Sequence, residues 1–76
     1  MGEKIVLVHW VDHCVDGGRW IHEIEAIKVR IRKCESVGFV IFEDKENLIL
    51  AQSRSDEGDL NCICIYKGCI TYRKNL

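Results

Sequence analysis

No run of apolar residues in this chain approaches the ~18 that a membrane-spanning helix needs. Neither sign of charge dominates, since eleven Lys and Arg against twelve Asp and Glu leave a formal net charge of −1. The first absence excludes a helical membrane protein. The second argues against a protein whose main task is to coat nucleic acid, because that affinity comes largely from neutralised phosphates. A secretory leader is not recognisable either. The opening MGEKIVLVHW has a short apolar stretch with His9 and Trp10 directly after it, which is not the signal-peptide pattern. Gly2 lacks the context for myristoylation, because Val6 stands where Ser or Thr is required. The chain is therefore expected to be soluble and cytoplasmic.

The motifs of catalysis are also missing. His13 and Asp16 occur in VDHCVD, but no Gly-x-Ser-x-Gly elbow accompanies them. Cys14 beside His13 is not a usable pair on a strand, where adjacent side chains point to opposite faces. The glycines of DGGRW lack the Lys-Ser/Thr of a phosphate loop. SDEGDLN does not space its acids as a calcium loop does. No catalytic set, cofactor or resident metal is expected, and the chain does not read as an enzyme.

The five cysteines need separate treatment. An odd number suits no simple framework of bridges, and thiols stay reduced in the cytoplasm. LNCICIYKGCI holds Cys62, Cys64 and Cys69, spaced Cys-x-Cys and then four residues. Structural zinc usually takes Cys-x2–4-Cys from a turn plus a second pair elsewhere, and no second pair is present. A zinc site completed by His13 or Cys14 is the alternative. The spacing fits small buried hydrophobes better. His9 and His13 would lie roughly 13 Å apart along one strand face, too far to share a metal.

What is present is a period-two pattern without proline. In KIVLVHWV, Ile5, Leu7, His9 and Val11 share one face, and Val6, Val8 and Trp10 the other. Apolar residues on both faces suit a strand covered on both sides or one at a subunit interface. Asp16-Gly17-Gly18 marks a tight turn. WIHEIEAI fits a short helix or irregular turn near 20–27, with Trp20, Ile21, Ile24 and Ile27 in a stripe. KVRIRKC alternates, with Val29 and Ile31 inward and Lys28, Arg30 and Arg32 outward. SVGFVIF follows, and Gly38 within it predicts a bulge or a close backbone approach. EDKEN reads as a hairpin turn, LILAQ as a strand, SRSDEGDL as a loop broken at Gly58, and NCICIY and CITYR as strands about a Lys-Gly turn. The fold class is all-β or mainly β, as one domain over 1–76. The expected form is a small SH3-like barrel or a strongly bent antiparallel sheet of about six short strands. A core this small rarely supplies more than roughly 3–5 kcal/mol, so a homo-oligomer is expected.

Two features point to binding. Arg30 and Arg32, with Arg19 and Arg54 near, offer guanidinium forks suited to phosphate or carboxylate. Trp10 and Trp20 flank the glycine-rich turn and are suited to stacking. Their bland counterparts are a solvated strand face and two caps on a small core.

Trp10-Val11-Asp12, Arg19-Trp20, Ser36-Val37-Gly38-Phe39, Glu43-Asp44, Leu50-Ala51 and Lys67-Gly68-Cys69-Ile70 together form a pattern that resembles a group of small uncharacterised phage and prophage accessory proteins. The resemblance spans nearly the whole chain in short pieces. Tyr66 replaces a proline of that pattern, and Cys62 and Cys64 have no counterpart in it. The resemblance implies a phage-encoded, non-enzymatic protein acting in the host cytoplasm on a host or defence component. Three modes stay open. One is sequestration of a small phosphorylated ligand, such as a nucleotide signal, between subunits. Another is direct blocking of a host protein. The third is nucleic-acid binding by a small barrel, which the charge makes the weakest.

Overall fold

The computed structural model describes residues 4–12, 20, 22–26 and 31–76. The turn expected at Asp16-Gly17-Gly18, and the outward Lys28 and Arg30, lie outside these residues. Five strands form one antiparallel sheet: β1 (Ile5–Asp12), β2 (Arg32–Glu43), β3 (Asn47–Arg54), β4 (Leu60–Tyr66) and β5 (Ile70–Asn75). A four-residue helix, α1 (Glu23–Ala26), lies between β1 and β2, and a 3-10 turn (Lys67–Cys69) links β4 to β5. The described residues are mainly β as expected, and they form five strands where about six are expected. The difference arises at the start of β2. KVRIRKC and SVGFVIF read as two strands, yet Arg32–Glu43 is one strand of twelve residues.

The helix expected near 20–27 is confined to Glu23–Ala26. Its apolar stripe is not packed at the described positions, because Trp20 and Ile24 are both exposed. Ile31, expected to face inward, is half exposed.

β1 keeps its alternation. Val6 and Val8 are fully buried, while Ile5, Leu7, His9 and Val11 are half-buried. The buried set continues through Leu48, Leu50 and Ile65, with Trp10, Val40, Ile63 and Ile70 packed against it.

The strand order is β4-β3-β2-β1-β5. The two outermost strands are thus consecutive in sequence, joined by three residues. In a flat sheet they would lie four spacings apart, roughly 19 Å. The four Cα steps from Tyr66 to Ile70 reach at most about 15 Å when fully extended, and a 3-10 turn is far shorter. The sheet must therefore roll. β2 makes the bend, pairing with β1 through Arg32–Phe39 and with β3 from Phe39 to Glu43. The roll brings β1 over β3 and β4, which is how Val6 and Val8 reach Ile65. β4 and β5 do not pair with each other, so the sheet stays open.

Gly38 sits where β2 changes partner. A Cβ there would stand 2.7 Å from the Ala51 carbonyl oxygen and 3.2 Å from the Leu50 Cβ. This is the close backbone approach that the glycine signals in the sequence. A few residues on, Ile41 is extra, since Val40 pairs with Leu50 and Phe42 with Ile49. Such a bulge adds local bend and twist. The β2–β3 turn is held by Asp44, whose carboxylate accepts from the Glu46 and Asn47 amides at 2.9 and 2.7 Å. In the β3–β4 loop the Ser55 hydroxyl accepts from the Glu57 and Asp59 amides. Gly58 there adopts φ +92°, which favours glycine.

Gly38→Val inserts volume against backbone that cannot retreat. It is expected to cost about 1–3 kcal/mol, read as a lower urea midpoint. An unchanged midpoint would show that the bend tolerates a side chain at this position.

Candidate functional site

The rolled half made of β5, β1 and the start of β2 carries a cleft of about 400 Å³. His9, Trp10, Val11, Lys33, Cys34, Glu35 and Thr71 line it. Trp10 faces the core side of β1, opposite Cys34 on β2 and Ile70 on β5. Its indole N–H donates to the Ser36 hydroxyl at 3.0 Å. That bond satisfies Ser36, a buried polar residue, and fixes the ring. A bulge at Thr71 shifts the β5 register, so that Tyr72 lies opposite His9 and Ile70 opposite Trp10. This aims Ile70 at the core and leaves the Thr71 hydroxyl donating to the His9 carbonyl at 3.3 Å. The His9 and Tyr72 rings meet at 5.0 Å, tilted by 54°, within the range of favourable aromatic contacts.

The lining alternates between faces: Trp10 and Cys34 lie on the core side, whereas His9, Glu35 and Lys33 lie on the outer side, so the indole and the charged side chains do not converge. The Cys34 thiol donates to the Arg32 carbonyl at 3.9 Å, a backbone partner rather than a base.

The expected binding residues are only partly brought together. Trp10 lines the cleft. Arg32 lies opposite Asp12 in the β1–β2 register, on the face that carries Trp10 and Cys34. Trp20 is fully exposed and closes over none of the described residues. Arg54 is on the other side of the sheet, its guanidinium 3.8 Å from the centroid of the Phe39 ring. Phe39 pairs with Ile5 on the outer face. That contact, worth roughly 0.5–1 kcal/mol at an exposed site, gives Arg54 a packing role. Arg19 and Arg30 lie outside the described residues.

The cysteines depart from the packing role. Cys34 and Cys69 are half-buried, but Cys62 and Cys64 are exposed. β4 is an edge strand, and these two share its outer face, opposite Ala51 and Ile49 of β3. Among the described residues no group of three or more His, Cys, Asp or Glu converges as a metal site.

One cluster was not evident in the sequence. Glu43, at the end of β2, receives Arg73 of β5 through two bonds of 2.7 and 3.0 Å and Lys67 of the 3-10 turn at 2.6 Å. β1 lies between β2 and β5 in the sheet, so this contact closes across the roll. The Arg73 and Lys67 hydrogen bonds pull the Glu43 carboxyl down from 4.5 to about 2. Arg73 is raised in turn, chiefly by Glu43. The acidic hairpin Glu43-Asp44 was visible as a pattern, but nothing local links it to Arg73, thirty residues on.

Comparison with family models, curated proteins and solved structures finds no match for this chain.

Glu43 is more acidic folded than unfolded, so its contribution to stability is present above pH ~4.5 and is lost as the pH falls toward 2. The melting temperature is expected to drop across that window. Glu43→Gln should lower it at neutral pH and flatten the acid limb. A variant with the same acid profile as the wild type would remove Glu43 as its cause.

Proposed function

We propose that this chain is a non-enzymatic binding module, phage-encoded as its sequence pattern implies, that blocks a host or defence protein by direct contact. In this reading the rolled sheet is a small SH3-like barrel left open between β4 and β5. The observation that carries it is the apolar outer face of the β5-β1-β2 half. Val37 lies in a regular stretch of β2 and Tyr72 just past the Thr71 bulge of β5, and each is about half exposed there (48 % and 49 %). They flank Leu7 and His9 in the register. Exposed apolar surface that cannot be assigned to a core is a common mark of a protein contact. Arg32 and Arg54 lie on opposite faces and do not share one pocket, which supports this mode.

A second reading rests on the cleft. Its volume of about 400 Å³ is that of a small-ligand site, and Trp10, with Arg32 on the same face beside it, is suited to a phosphorylated, aromatic ligand. The protein would then act by sequestering that ligand.

Native mass spectrometry of the purified protein after incubation with host-cell extract separates the two. A host protein captured by the wild type and lost with Val37→Asp/Tyr72→Asp is the expected result. A small added mass that survives these changes but disappears with Trp10→Ala transfers the function to the cleft. Equal capture of the host protein by the outer-face variant rejects the contact surface.

A further inference from the structure

The two free edges of the sheet differ in chemistry. β5 reads Ile-Thr-Tyr-Arg-Lys-Asn, with a bulge at Thr71 and charges at Arg73 and Lys74. Bulges and edge lysines are the devices by which native sheets prevent edge-to-edge pairing. β4 reads Leu-Asn-Cys-Ile-Cys-Ile-Tyr and has none of them. It carries no charge and no proline. Its ladder does contain an irregularity, but the extra residue, Gln52, belongs to β3, where Ala51 pairs with Cys62 and Ser53 with Asn61. β4 itself runs unbroken for seven residues.

We propose that β4 pairs antiparallel with β4 of a second copy, joining two five-stranded sheets into one of ten strands about a twofold axis. The register follows from the strand. Pairing all seven residues of Leu60–Tyr66 centres the axis on Ile63. Cys62 then lies opposite the partner's Cys64, and Cys64 opposite the partner's Cys62. A register moved by one residue to either side loses that exchange. Only a second copy of this chain provides that self-complementary order, and strand addition along an exposed edge is an established mode of recognition. In the seam the thiols of Cys62 and Cys64, exposed in one chain, stand beside the partner's on the outer face. It uses surface other than Val37 and Tyr72, so it stands or falls apart from the proposed host contact.

The test is sedimentation of the full chain, kept reduced, with two paired variants. Wild type is expected to be a dimer. Cys62→Lys/Cys64→Lys places like charges opposite each other at two positions and should weaken association roughly ten-fold. Cys62→Lys/Cys64→Glu places Lys opposite the partner's Glu and should restore the dimer. Circular dichroism confirms that both variants fold. In the wild type, diamide, a two-electron thiol oxidant, should join Cys62 to the partner's Cys64, the two thiol protons and two electrons passing to the diazene. A monomer at all concentrations overturns the proposal. So do equal association by the two variants, or a cross-link through Cys34 or Cys69 in place of Cys62 and Cys64.

Discussion

The short link between β4 and β5 governs this fold. Three residues in a 3-10 turn join strands that stand at opposite ends of the sheet order. A flat sheet cannot satisfy that link, so the sheet rolls, and the other unusual features of the chain serve the roll. β2 must be long enough to pair with β1 in its first part and β3 in its second. Gly38 must lack a side chain where the Ala51 carbonyl comes close. Ile41 must be extra. Glu43 must lie far enough along the bent strand to meet Arg73 and Lys67. The result is a core of few residues that is nonetheless closed on both sides, with Val6 and Val8 against Leu48, Leu50 and Ile65. A chain of 76 residues gains from this, because rolling one sheet buries apolar area that would otherwise require a second layer.

Glu43 shows how such a fold is held at its rim. One carboxylate takes two bonds from an arginine fork and a third contact from a lysine. Bidentate pairs of this kind are the stronger and more directional ion pairs. The group is partly solvated, so its value lies as much in fixing the angle of the roll as in energy. Arg73 comes from β5 and Lys67 from the link itself. The same cluster therefore fastens both the free edge and the turn that forces it into place.

Local pattern was legible in the sequence; long-range pairing was not. The alternation of β1, the acidic β2–β3 turn, the break at Gly58 and the tight spot at Gly38 each depend on a few adjacent residues, and each is found in the structure. The division of β2 into two strands was a misreading, because a bend and a break look alike when only neighbours are considered. Arg32 and Arg54 belong together by residue type, but β2 and β3 present them on opposite faces. Cys62 and Cys64 were read as core because thiols usually are, whereas their burial depends on whether β4 is a central or an edge strand. Periodicity carries no information on strand order, so that question could not be settled before the topology was known.

The apolar residues on both faces of β1 and β2 now have distinct meanings. One face is the core. The other, with Leu7, Val37 and Tyr72, belongs to a half of the roll that no described element covers. β4 presents a different kind of surface, backbone polar groups along a charge-free edge. A face gives broad contact with modest geometric demand, whereas an edge gives hydrogen bonds in a fixed register. A small rolled sheet that keeps both can use its edge to associate with an identical chain and its face to meet an unrelated protein. The opening between β4 and β5 is what leaves that edge available. A closed barrel would have satisfied β4 within one chain.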